Sequence, residues 1–213
     1  MQCVAGGKKR TPIWRFDYAG CTLRLTSMEE GKERLMNSLA TIRPLTAGDQ
    51  EFLWEALYEA LWDPPGAPRR PREVLERPYI RIYAENWGSQ PDDLGFAALD
   101  EQGKPIGAVW SRLHLPPNQG GAFFNASTPQ VGIAVFSAWQ ERRIGSQLMA
   151  HYLAEARKRY ESVSLSVHPA NRRAIRLYQR AGFTQFAVGG GGYLNMVVHL
   201  KQVSKSSARN IPQ

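Results

Sequence analysis

Hydrophobic and polar positions change period several times along the chain, and each change predicts an element. Residues 1–38 mix Gly, Lys, Arg, Ser and Glu without sustained periodicity, although residues 13–25 could pair as short strands. From Ala40 the pattern is orderly. ATIRPL reads as a strand, Thr46 and Asp49 look like a capped helix start, and Leu53, Leu57, Ala60 and Leu61 fall on one helical face. The run DPPGAPRRP ends that helix, and a second helical stretch over residues 72–87 is divided by Pro78.

Residues 94–99 and 106–114 read as strands and are joined by the turn-like DEQGKP, which predicts a hairpin. A long irregular loop, LPPNQGGAFFNAS, follows; loops of this length in a compact domain often cover a site. Residues 130–136 read as a strand, and Ile144, Leu148, Tyr152 and Ala156 recur with helical spacing. Val163, Leu165 and Val167 then alternate with Ser162, Ser164 and Ser166. Ala174, Leu177, Tyr178 and Ala181 share a helical face, with Gly182 just past the helix end. Residues 183–188 and 193–200 are two more strands around the Gly189–Gly192 run. The order predicts a mixed α/β (α+β) fold whose helices cover a central, mostly antiparallel sheet. One domain over residues 39–201 is expected, with an N-terminal extension at 1–38 and a tail at 202–213. Met36, just before the first clear strand, is a candidate translation start.

Composition narrows the function classes. The chain has 213 residues, 43% of them hydrophobic and 22% charged, which argues against disorder. Its longest nearly apolar run, residues 131–136, is far short of the roughly 20 residues that cross a bilayer. The N-terminus lacks the apolar centre of an export signal, so a soluble, cytoplasmic protein is expected. Cys3 and Cys21 are the only cysteines and both lie in the leader; His114, His151, His168 and His199 are scattered, so neither a disulfide nor a metal site is expected.

Net charge is +8. Arginines cluster at Arg69, Arg70, Arg72, Arg77 and Arg81, and again at Arg142, Arg143, Arg172, Arg173, Arg176 and Arg180, which makes an anionic partner plausible. The stretch GIAVFSAWQERRIGSQLM, residues 132–149, runs an apolar strand through a short loop into a helix. The unpaired N–H groups and dipole of a helix start suit a phosphate. Arg142 and Arg143 would reinforce that site, and Gly145 with Ser146 would let the ligand approach the backbone closely.

This stretch and SVHPANRRAIRLYQRAGF, residues 166–183, together resemble the GNAT superfamily of N-acetyltransferases. That family has a Gln/Arg-x-x-Gly-x-Gly/Ala loop for the pyrophosphate of acetyl-CoA. Gln140 and Gly145 match its ends, whereas Arg143 stands at the usual middle glycine and Glu141 at another frequent one. The later motif Asn-x-x-Ala-x-x-Leu-Tyr-x-x-x-Gly-Phe is met without a gap by Asn171, Ala174, Leu177, Tyr178, Gly182 and Phe183. The resemblance spans about residues 40–200. It implies a sheet of about seven strands with about four helices, and acetyl-CoA as acyl donor. The strand at Ile133, Ala134 and Val135 would take the pantetheine arm, and residues 140–146 (Gln140, Glu141, Arg142, Arg143, Ile144, Gly145, Ser146) the pyrophosphate. Asn171 and Tyr178 would sit near the thioester, with Tyr178 as the acid for the departing thiolate.

The expected activity is direct transfer of acetyl to a primary amine of a small molecule, peptide or protein. The acid that many members carry before the phosphate loop is replaced by Gln130, which leaves His114, Glu55, Glu59 or held water as base candidates. Gln130 and the altered loop also fit an alternative, a non-catalytic acyl-CoA-binding module. The acceptor pocket is expected between the first helices, the loop at 115–127 and the last two strands, all rich in aromatics. No membrane partner is expected; nucleic acid has little support because no recognised motif is present. The resemblance is compatible with a homodimer.

Overall fold

The computed structural model describes residues 40–200; the expectations for the leader and the tail lie outside the described residues. The seven strands are β1 (Thr41–Pro44), β2 (Leu94–Leu99), β3 (Pro105–Arg112), β4 (Gln130–Val135), β5 (Ser162–Val167), β6 (Thr184–Val188) and β7 (Leu194–His199). The four α-helices are α1 (Gln50–Ala60), α2 (Pro78–Arg81), α3 (Ile144–Ala156) and α4 (Arg172–Arg180). The strands form one sheet in the order β1-β2-β3-β4-β5-β7-β6, antiparallel throughout except where β4 meets β5. The expected mixed architecture and the 94–99 hairpin are therefore present.

Two apolar layers hold the sheet between helices. On one face Ile144, Leu148, Tyr152 and Ala156 of α3 pack with Val109, Val131, Val163 and Leu165. On the other, Leu53, Ala56 and Leu57 of α1 pack with Ala108, Trp110 and Ala134. The two-residue alternation of β4 divides it accordingly, with Val131, Ile133 and Val135 against the first layer and Ala134 against the second. Trp110 can lie flat over β4 because residue 132 is glycine: a Cβ there would stand 2.7 Å from the indole. Local start signals act as read. Asp49 accepts from the Thr46 amide at 2.8 Å in a capping box, and Asn171 caps α4 by accepting from the Ala174 amide at 3.1 Å. The stretch at 72–87 is less helical than its spacing suggests, because Pro71 and Pro78 leave room only for a 3-10 turn (Arg72–Glu76) and the single-turn α2.

The parallel junction positions the site. β4 and β5 are in register at only one pair, Gln130 with Ser164, and then diverge. The amide of Phe136 donates to Ile106 on β3 at 3.0 Å, so the strand's alternation turns the backbone groups of Ile133 and Val135 the other way, into the gap. No helix among the described residues is long and apolar enough to cross a membrane.

Candidate active site

The gap between β4 and β5 opens into two cavities that meet. The first, of about 400 Å3, runs from β4 over the start of α3 to α4. Of the expected cofactor residues, Ile133, Ala134, Val135, Gln140, Glu141, Arg143, Ile144, Gly145, Ser146, Asn171 and Tyr178 line it. Arg142 does not; its guanidinium lies over the Trp139 ring at 4.7 Å. The loop is tied to β4 by Gln140, whose Nε2 donates to the Val135 carbonyl at 3.0 Å and whose Oε1 accepts from Arg173 at 3.1 Å.

At the two loop positions where the resembled motif has glycine, the backbone is left-handed. Glu141 has φ 66° and Arg143 has φ 60° and ψ 5°, the left-handed region that L side chains disfavour. Arg143 is thus the N-cap of α3 without giving it a side-chain cap. Its carbonyl receives the amides of Ser146 and Gln147 at 3.0 and 3.1 Å. The earlier amides of Ile144 and Gly145 have no acceptor among the described residues and face the cavity end of the helix. Arg173 and Arg180 line the same cavity. They stand 27 and 34 residues beyond Ser146 at the loop's end, and only the Arg-rich start and end of α4 marked them in the sequence.

The second cavity, of about 450 Å3, lies between α1, the segment around α2, the loop before β4 and the β6–β7 connection. The two cavities share Ala60, Trp62, Ile133, Asn171 and Tyr178. Tyr178 therefore stands at their junction. It is buried, and desolvation raises its phenol pKa above the ordinary value, so it keeps its proton at neutral pH.

The loop at 115–127 closes this second cavity and is held from three elements. Gln130 Oε1 accepts from the Tyr83 hydroxyl at 2.8 Å and from the Ala122 amide at 2.9 Å. The Tyr83 oxygen accepts from the Gly121 amide at 3.1 Å, and Asn195 Nδ2 donates to the Gly121 carbonyl at 2.9 Å. A Cβ at Gly120 would collide with the Gln130 and Tyr83 side-chain oxygens. Burial pushes the Tyr83 phenol up to about 12. Gln130 thus replaces the frequent acid with a clamp on the loop, a role that needs the tertiary structure to be seen.

The base candidates separate. His114 lines neither cavity; it is buried against Tyr83, ring centroids 4.5 Å apart, and burial followed by the Arg112 charge lowers its pKa to about 4. Glu55 is bound to Arg72 outside both cavities. Glu59 borders the first cavity but pairs with Arg69 at 2.8 Å. His168 lines the second cavity, and its Nδ1 accepts from the Ala170 amide at 3.1 Å, which leaves the proton of the neutral ring on Nε2.

Comparison with known proteins agrees with this geometry. The acetyltransferase (GNAT) family model matches residues 54–183. A mycothiol acetyltransferase of Cellulomonas flavigena is 27% identical over 169 residues, 64% of this chain and 48% of that protein, so the chain spans about half the length of this curated relative. Among solved structures, the GNAT domain of S. lividans PAT is 26% identical with a TM-score of 0.54, over 75% of this chain and 90% of that one. The yncA acetyltransferase of Salmonella typhimurium, solved with acetyl-CoA, shares the fold at 19% identity with a TM-score of 0.55, over 80% of this chain and 99% of its own. The motifs, the splayed parallel pair and the family match agree: the chain belongs to the GNAT family of acetyltransferases.

Proposed function

We propose that this chain moves an acetyl group from acetyl-CoA to a primary amine of a small molecule, peptide or protein by direct attack in a ternary complex. The observation that carries the reading is the place of Tyr178, where a cavity with free backbone amides and arginines joins a second, aromatic cavity. The first suits a pyrophosphate and a pantetheine arm: Ile133 and Val135 offer backbone groups, Ile144 and Gly145 offer amides, and Arg143, Arg173 and Arg180 offer positive charge. The second has room for an acceptor within reach of the same tyrosine.

The chemistry follows from these placements. The amine nitrogen attacks the thioester carbonyl from the second cavity, the C–S bond breaks, and the Tyr178 hydroxyl supplies the proton that the thiolate takes up. A buried phenol that stays protonated at neutral pH suits that task. We assign this activity to residues 39–201, with 1–38 and 202–213 as extensions of that domain. In Tyr178→Phe, turnover should fall by about 100-fold or more, the usual scale of a lost general acid. Acetyl-CoA binding, measured by calorimetric titration, should be retained. Full activity in that variant would refute the assignment of the acid, and binding without turnover of any amine by the wild type would favour the non-catalytic reading.

A further inference from the structure

The second cavity has an unusual charge inventory for a site that receives an amine. Its walls include Trp62, Tyr79, Tyr83, Trp110 and Tyr193, and among the described residues no carboxylate lines it. The two basic side chains on its wall, Arg70 and His168, offer an ammonium nothing. Arg70 is held by Asp63 at 3.0 Å, and Asp63 itself does not line the cavity. The His168 ring lies between Trp62 and Tyr193, centroids 4.9 and 5.2 Å away, with its proton on the nitrogen not bonded to Ala170. Tyr83 and Tyr178 both have raised pKa values and stay neutral. Of the acids on the adjoining cavity's wall, Glu59 is paired with Arg69 at 2.8 Å and Glu141 lies 3.7 Å from Arg173.

An ammonium that enters such a space gives up part of its hydration and meets no carboxylate among the described residues of its walls. Burial disfavours the charged form, so the amine's proton affinity falls as it binds. We propose that the acceptor is a monoamine with a flat, apolar body that binds as its free base, so that desolvation in this cavity replaces the general base missing at Gln130. This rests on the acetyl-transfer reading above and names its acceptor class. The proton leaves to bulk water as the amine binds. The free amine then forms the C–N bond as the C–S bond breaks with its electron pair on sulfur; Tyr178 protonates the sulfur and is restored by the second amine proton, so amine and thioester give amide and thiol. A second ammonium on the acceptor, as in a polyamine or an aminoglycoside, would be stranded in the same walls.

Two measurements on the full chain with coenzyme A present test this. The first needs no turnover: binding of 2-phenylethanol, a neutral isostere, is compared with that of the permanently charged trimethyl(2-phenylethyl)ammonium by ligand-detected NMR. The alcohol should bind at least about tenfold more tightly, because the cation cannot shed its charge. Equal or tighter binding of the cation would overturn the proposal, since the aromatic walls would then act as a cation cage.

The second is kcat/KM against pH for 2-phenylethylamine and its less basic 2,2-difluoro analogue, with spermidine in parallel. The rising limb should follow each amine's own solution pKa, and spermidine should be the poorest acceptor. A limb at one pH for both aromatic amines would mean an enzyme group takes the proton, and preferred use of spermidine would mean the cavity accepts a polycation; either overturns the inference while the acetyl-transfer reading stands. No turnover of any amine at any pH would instead defeat that reading, and the isostere comparison would still decide what the cavity binds.

Discussion

Two groups of arginines that look alike in the sequence have opposite circumstances in the fold. Between residues 69 and 81 the carboxylates arrive with the charge at four of the five arginines, Arg77 donating instead to the Tyr79 hydroxyl at 2.8 Å. Arg69 pairs with Glu59 at 2.8 Å, Arg70 with Asp63 at 3.0 Å, Arg72 with Glu55, and Arg81 with Glu76 and Glu85 at 2.8 and 2.5 Å. The hydrogen bonds from Arg72 and Arg81 hold the Glu55 and Glu85 carboxyls below their ordinary range. Between residues 142 and 180 the charge is left over. Arg173 has a carboxylate only at 3.7 Å, from Glu141, while Arg143 and Arg180 line the first cavity with none among the described residues. A run of positive charge thus says little until its counter-ions are located. The group left unpaired is the one beside a helix start suited to an anion, and the paired group gives no support to a nucleic-acid reading.

The paired extreme is Arg112, which lies in neither group. It is buried with Asp93, both side chains 4% exposed, and donates to both Asp93 oxygens at 2.7 and 2.8 Å and to the carbonyls of Ile82 and Glu85 at 3.1 and 2.7 Å. Arg112→Ala strands a buried carboxylate and these two carbonyls, so denaturant unfolding should show a loss of about 3 to 5 kcal/mol. A loss below about 1 kcal/mol, the scale of an exposed pair, would mean that burial does not separate this arginine from Arg72.

The next effect separates the two groups by ligand rather than by stability. Reversing Arg173 and Arg180 to Glu should weaken acetyl-CoA binding by about 10- to 100-fold, with the wild-type affinity falling as ionic strength rises. Arg72→Ala should leave that affinity within about twofold and the unfolding midpoint nearly unchanged, as exposed pairs do. Equal weakening in both variants would show a diffuse field rather than a local site, and would erase the distinction between the groups.

What the sequence made legible was mostly local. The strands at residues 94–99 and 162–167, the helical face of residues 144–156 and the strand-loop-helix at 132–149 all stand where their patterns put them. What it hid depends on contacts between distant segments. Ser162 and Ser164 alternate as if on a solvent face yet are buried. Gln130, read as a missing acid, is a clamp because Tyr83 and Ala122, 47 and 8 residues away, converge on its oxygen. The role of Arg173 beside Gln140 depends on a contact across 33 residues. Likewise, Arg69 and Arg143 are indistinguishable as letters, because nothing in a linear run tells which carboxylates will come within 3 Å.

The smallest expected effect falls on Arg143 itself, where backbone and charge pull in opposite directions. Its φ of 60° costs an L residue roughly 1 kcal/mol that glycine avoids. Glycine in turn loses more chain entropy on folding, so Arg143→Gly should gain at most about 1 kcal/mol, a rise in Tm of a few degrees for a chain of this size. The same change removes a cation from the wall proposed above for the pyrophosphate, so acetyl-CoA affinity should fall by several-fold, the scale of a partly solvated charge-assisted contact. Opposite signs in calorimetric unfolding and in ligand titration would show that the strained residue is retained for its charge. If glycine raised both, the arginine would serve neither stability nor binding, and the unpaired group would reduce to Arg173 and Arg180.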